Sequence, residues 1–166
     1  MRLILASLVL VSAATAQTVP PPKPAKEPRE IQARQLSLTL SQSAVKAEPL
    51  DKVSLFVDVF PKPKMHVYAP EQTGGYIRIT LELDEPRGFA AAKPLFPKAA
   101  DYYFQPLNET FKVFDAPFRI RQDITLGRFA GKPVAVTGTL RYQACDDLVC
   151  YRPDQVKVAW LIKPKA

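Results

Sequence analysis

Residues 134–162 read VAVTGTLRYQACDDLVCYRPDQVKVAWLI, and the fold is decided on either side of their two cysteines. Before the cysteines, Val134, Val136, Leu140 and Tyr142 alternate with small or polar residues. After them, Val156, Val158, Trp160 and Ile162 do the same. Alternation at period two puts one set of side chains on one face of an extended chain, which is how a half-buried β-strand reads. Working outward, the same pattern recurs at Leu36, Leu38 and Leu40, and at Val53, Leu55, Val57 and Val59. It returns at Ile77, Ile79, Leu81 and Leu83, and at Phe118, Ile120 and Ile124. Proline-rich or polar turns divide the runs at Pro61–Lys64, Pro70–Gly75, Pro94–Pro97 and Gly127–Pro133. No apolar repeat of helical period runs for ten residues or more. Seventeen prolines argue in the same direction, because proline breaks helix interiors. The expectation is an all-β antiparallel sandwich of about seven strands. No internal repeat is visible.

The N-terminal segment has a different character. Arg2 is followed by an apolar run from Leu3 to Val11 and by the small-residue stretch Ala14-Thr15-Ala16. That order is the order of an export signal, so residues 1–16 are expected to be removed and the mature chain to start at Gln17. The apolar run is too short to span a bilayer, and no other stretch approaches the roughly 18 apolar residues a spanning helix needs. An exported chain meets an oxidising compartment, where a cysteine pair can form a disulfide. Residues 17–34 are expected to be a linker, since Val19–Pro28 reads VPPPKPAKEP and favours extended polyproline conformation. The folded domain is expected over 35–166.

Composition removes several function classes. Two cysteines and one histidine exclude a zinc-finger array or a cysteine-rich scaffold. The net charge of +7 comes from lysines and arginines scattered among strands and turns, with no aromatic-basic block, so nucleic acid is not an expected partner. There is no glycine-rich phosphate loop. No serine stands in a Gly-x-Ser-x-Gly context. Glu82, Asp58 and Asp84 fall where outward-facing strand residues are expected, which leaves no acid–base pair. A small-molecule substrate is therefore not expected.

What remains is the pair Cys145 and Cys150. Three readings stay open on spacing alone. The first is a structural staple, although closing a six-residue ring constrains the unfolded chain by only about 2 kcal/mol. The second is a redox pair, in which one thiol exchanges with a partner's disulfide and the other resolves the mixed intermediate. Here Asp146 and Asp147 disfavour a thiolate, whereas Arg141 and Arg152 favour one. The third is a copper site, with Met65 and His66 of KMHVYAP adding soft or imidazole donors to the thiols. It requires two distant segments to meet.

The stretch YQACDDLVCYRP resembles the active-site segment of the N-terminal periplasmic domain of the bacterial disulfide reductase DsbD. The matching positions are Tyr142, Gln143, Cys145, Cys150, Tyr151 and Pro153. KMHVYAP, with His66 and Tyr68, is similar to that family's early segment. The resemblance extends over roughly residues 35–163. It implies an immunoglobulin-like β-sandwich that carries out thiol–disulfide exchange, without cofactor or metal, between a membrane or thioredoxin-like donor and periplasmic thioredoxin-fold proteins. Carried over, Cys150 would form the mixed disulfide and Cys145 would resolve it. The family shields its cysteines with an aromatic cap. The run Tyr102-Tyr103-Phe104 is the candidate for it here. Tyr103 and Phe104, with Tyr142 and Tyr151 beside the cysteines, are the expected partner-binding residues. The family's membrane and C-terminal thioredoxin domains have no counterpart in these 166 residues, so the donor is expected to be a separate protein. The competing expectations are a non-catalytic immunoglobulin-like domain with an inert disulfide, or a copper-handling periplasmic protein.

Overall fold

A computed structural model of the chain describes residues 28–85, 88–128 and 131–165. The expected export signal and all of the expected linker before Pro28 lie outside the described residues. The strands, in chain order, are β1 (Arg29–Gln32), β2 (Leu36–Gln42), β3 (Lys46–Ala47), β4 (Lys52–Pro61), β5 (His66–Tyr68), β6 (Thr80–Leu83) and β7 (Phe89–Ala91). They continue as β8 (Ala100–Phe104), β9 (Glu109–Phe114), β10 (Phe118–Leu126), β11 (Val134–Tyr142), β12 (Ala144–Cys145) and β13 (Asp154–Pro164). Among the described residues the only helical segment is a single 3-10 turn, Gln105–Leu107, between β8 and β9.

Two larger sheets form the sandwich. One has the order β1-β2-β4-β10-β7 and the other β3-β13-β11-β6. All pairings are antiparallel except the two-residue contact of β3 with β13. The alternating residues of the sequence face inward. Leu38, Val57 and Ile120 of the first sheet and Val136, Leu140 and Val158 of the second belong to one buried cluster. Trp160 reaches across the layers, where its indole Nε1 donates to the Ser41 carbonyl at 3.0 Å. The Gln42 amide donates likewise to the Leu161 carbonyl at 3.0 Å. The arrangement is the all-β, antiparallel, immunoglobulin-like sandwich expected from the alternation and the resemblance.

Gly138 marks where the second sheet is tightest. It lies on β11 between β13 and β6, and a Cβ built on it would stand 2.6 Å from the Glu82 carbonyl oxygen. The obstacle is backbone, which cannot swing aside. Gly138→Ala is therefore expected to destabilise the fold by about 1–3 kcal/mol, as overpacking of a filled site does. A lowered denaturation midpoint with an unchanged slope would record it.

Three features of the fold differ from the pattern reading. Strand β1 lies inside the stretch read as linker. It is an edge strand with three of its four residues exposed, so burial imposes no alternation on it. The run from Ile77 is strand only over β6. Beyond these, a third sheet of order β12-β5-β9-β8 was not anticipated. It carries the cysteines.

Candidate functional site

The third sheet has two faces of different composition. Cross-strand partners share a face, so its registers sort the residues. Cys145 pairs with His66, Ala144 with Val67, Val67 with Phe114, Tyr68 with Val113, and Tyr102 with Phe111. Ala144, Val67 and Phe114 turn toward the sandwich and join its core. Cys145, Tyr68, Phe111 and Val113 turn the other way and form a second buried cluster, flanked by Tyr76, Tyr102 and Phe104. The cysteines therefore rest on an aromatic floor, built by the sheet face that the core does not use.

Cys145 and Cys150 form a disulfide. It closes a small hairpin projecting from the end of the β11–β13 ladder, just past the pairing of Tyr142 with Asp154. The Tyr151 amide donates to the Ala144 carbonyl at 2.9 Å, and the Asp146 amide to the Val149 carbonyl at 3.0 Å. Gln143 ties the base of the hairpin by donating to the Tyr151 carbonyl at 3.0 Å. Asp146 organises the tip. Its Oδ1 accepts the Leu148 and Val149 amides, both at 2.8 Å, and its Oδ2 accepts the Tyr151 hydroxyl at 2.9 Å. These donors, the two amides foremost, hold its carboxyl below the ordinary aspartate range. The negative charge that seemed set against a thiolate is thus taken up by the loop's own backbone.

The two sulfurs are not equivalent. Cys145 is 1 % exposed, whereas Cys150 is exposed at the surface. Beside Cys150 stand Leu148, 88 % exposed, and Val149, also exposed. A pocket of about 120 Å³ opens at the disulfide. Its walls include His66, Tyr68, Tyr102, Phe104 and Leu107 as well as both cysteines. That volume is well below the roughly 300 Å³ at which small-molecule sites begin.

Tyr68 is closest to the chemistry. Its hydroxyl lies 3.5 Å from both sulfurs. A disulfide has no proton to give, so the phenol is the donor in each contact. Burial, with smaller contributions from Tyr76, Glu109 and Tyr102, raises its pKa to about 12, so the proton stays in place. The His66 ring stacks on Tyr102 with centroids 4.6 Å apart, and burial holds its pKa below the ordinary histidine value. Tyr102 in turn donates from its hydroxyl to Asp147 Oδ1 at 2.7 Å, joining β8 to the cysteine hairpin.

The aromatic run 102–104 divides by strand parity. Tyr102 and Phe104 face the cysteines. Tyr103 lies on the reverse face, 58 % exposed, with its hydroxyl on Asn108 Oδ1 at 2.8 Å. Tyr142 is fully buried in the main core and does not line the pocket. Tyr151 is half-buried on the hairpin and braces Asp146. Met65 does not line the pocket either, whereas His66 does. Pattern reading passed over Tyr76, Phe111, Leu107 and the exposed pair Leu148–Val149. The usable signal was the spacing of two in Tyr102/Phe104 and His66/Tyr68.

Residues 34–161 match the family described as "Thiol:disulfide interchange protein DsbD, N-terminal". The chain belongs to this family. Among solved structures it is similar to the N-terminal periplasmic domain of ScsB from Proteus mirabilis, with a TM-score of 0.54 and 8% identity. That similarity covers 81% of this chain and 49% of the other, so the chain spans about half the length of that structure. A second similar structure is the DsbD N-terminal domain of Neisseria meningitidis in the reduced form. There the TM-score is 0.43 and the identity 16%, over 76% of this chain and 90% of the other. A comparison with curated proteins gives no significant match. No helix among the described residues is long and apolar enough to cross a membrane.

Proposed function

We propose that this DsbD N-terminal family domain is an exported, periplasmic thiol–disulfide interchange module that receives and passes on electron pairs through Cys145 and Cys150. The observation that carries the reading is the exposed Cys150 bonded to the buried Cys145. A thiolate attacks a disulfide along the S–S axis and expels the far sulfur. Only Cys150 is presented to a visitor, and the expelled Cys145 is then the sulfur already within reach to resolve the intermediate.

The cycle balances as follows. A donor thiolate attacks Cys150 Sγ. A donor–Cys150 bond forms, the bond to Cys145 breaks, and Cys145 leaves as a thiolate that takes up a proton. The donor's second thiol then attacks the donor sulfur, releasing Cys150 and oxidising the donor. Two electrons and two protons have entered the domain. Reduced Cys150 afterwards attacks the disulfide of a thioredoxin-fold acceptor, and Cys145 displaces the acceptor's thiol to re-form the pair. Leu148 and Val149 supply an apolar apron around the attacked sulfur. Tyr102 and Phe104 supply the shield, a role that falls to them rather than to Tyr103 or Tyr142. The donor is a membrane-embedded or thioredoxin-like thiol source.

A buried thiolate is costly without a donor. At Cys145 the Tyr68 hydroxyl is that donor. Tyr68→Phe removes it and keeps the ring, so the Cys145 thiol pKa should rise and attack at Cys150 should slow about tenfold. That factor corresponds to the ~1.5 kcal/mol of a hydrogen bond to a charged group. Stopped-flow reduction by a small dithiol would measure the rate, and an unchanged rate would remove Tyr68 from the mechanism.

The reduction potential separates the proposal from an inert disulfide. Equilibration with glutathione or a dithiol buffer is expected to place the pair above about −300 mV, within reach of thioredoxin-fold partners. A value well below that would make the bond structural and overturn the reading.

A further inference from the structure

Charge is spread unevenly over this domain. The chain as a whole carries a formal +7, yet carboxylates collect around the disulfide. Asp146 lines the pocket, and its neighbour Asp147 accepts the Tyr102 hydroxyl at 2.7 Å. Glu109 accepts the hydroxyl of Tyr76, another wall of the pocket, at 3.0 Å. Asp147 and Glu109 are exposed. Among the described residues none of these three is in an ion pair, whereas Glu48, Asp51, Asp58, Asp101 and Asp123 each lie against a lysine or arginine. Lys112 is the only lysine or arginine in the strands of the cysteine sheet, and parity turns it to the reverse face, where it meets Asp101. Within the hairpin, residues 143–153, Arg152 is the single cation beside Asp146 and Asp147. The pocket walls respond accordingly. After burial, the charges that act on His66 are Asp147, Asp115 and Asp146, and the groups that act on Tyr68 are Tyr76, Glu109 and Tyr102. No lysine or arginine figures among them.

We propose that the partner surface docking over Cys150 is cationic: a thiol–disulfide protein that rings its reactive cysteine with lysine or arginine. The proposal rests on the exchange reading. Exposed Cys150, with Leu148 and Val149 beside it, is the docking point, and the carboxylates set the sign of what fits around it. The donors that hold Asp146 are neutral, so they keep it ionised and leave its charge to be felt outside the loop. A cationic face is drawn to the pocket rim and repelled by the rest of a basic domain, so charge orients the encounter before any contact is made. Once docked, its positive groups also offset the carboxylates that stand against a Cys150 thiolate. An acidic face would meet like charge at the rim and be turned away.

The experiment mixes the reduced domain with small disulfides of different charge: the dication cystamine, the neutral bis(2-hydroxyethyl) disulfide and the dianion 3,3′-dithiodipropionate. In each reaction the Cys150 thiolate attacks one reagent sulfur and expels a small thiolate, and Cys145 then expels the second. The domain loses two electrons to its own disulfide and the reagent becomes two thiols. Each rate is divided by that of the same reagent with 2-mercaptoethanol, which removes intrinsic reactivity. Wild type is expected to favour cystamine over dithiodipropionate about tenfold at low ionic strength, the low end of electrostatic rate enhancement. At about 1 M salt, where charges are screened within about 3 Å, the ratio should fall toward unity. Combining Asp147→Asn with Glu109→Gln should remove most of it. Asp147→Asn also alters a contact of Tyr102, but a change in shielding scales all the rates together and leaves the ratio alone. Equal normalised rates, or a preference for the dianion, would overturn the cationic partner and leave exchange standing. Failure of every reagent, the neutral one included, would sink the exchange reading and this inference with it.

Discussion

Cys150→Ser is expected to abolish disulfide exchange altogether, whereas Cys145→Ser should still complete its first half. The difference follows from burial. With Cys150 gone, the remaining sulfur is 1 % exposed beneath aromatic rings, out of reach of an in-line nucleophile. With Cys145 gone, exposed Cys150 can still attack a partner's disulfide, but no second thiol stands ready to release it. Reduced Cys145→Ser mixed with an oxidised thioredoxin-fold protein should therefore accumulate a reducible adduct, visible on a non-reducing gel and mapped to Cys150 by mass spectrometry. Cys150→Ser should form none. Adducts through Cys145, or equal adducts in both variants, would reverse the assignment of attacked and resolving sulfurs.

The largest stability loss is expected at Trp160. The side chain is 5 % exposed in the main core, and its indole bonds the Ser41 carbonyl across the two sheets. Trp160→Ala removes the largest side chain of that contact and leaves a buried carbonyl without its donor. Cavity formation of this kind costs about 3–5 kcal/mol, and the stranded acceptor adds about 1–3 kcal/mol. Against the 5–15 kcal/mol that a domain typically has, that is enough to leave much of the population unfolded at 37 °C. Chemical denaturation followed by far-UV circular dichroism would measure it. A loss under 1 kcal/mol would mean that the layers close over the gap.

The sandwich was legible because its strands are half-buried. Burial on one face forces the alternation of β2, β4, β10, β11 and β13, and those runs were read with nearly the bounds they have. The cysteine sheet was not legible for the same physical reason. Its strands β5 and β12 are three and two residues long, too short to show a period. Both its faces are lined by apolar side chains, with Val67, Ala144 and Phe114 on one and Tyr68, Phe111 and Val113 on the other. Alternation of polarity disappears when both faces are covered. The juxtaposition of His66 with Cys145 spans most of the domain's length and rests on register, which no local pattern encodes. The cysteine pair was legible from its spacing and surroundings. Its asymmetry was not, because which sulfur lies inside depends on the β8–β9 hairpin folding over one of them. The run 102–104 was legible as a cluster of rings, and strand parity decides which of its members face the sulfurs.

The Asp146 turn has a kinetic consequence. Its carboxylate pins the hairpin tip through two amides and a hydroxyl, none of which involves sulfur. Opening the S–S bond leaves those ties intact, so the two half-cystines stay poised at a high effective concentration with the orientational entropy already spent. Re-closure is then expected to be fast, and a covalent intermediate with another protein to be short-lived. Throughput would be governed by how often partners collide in the right pose, and a slack loop in its place would turn the same two residues into a slow, sticky trap.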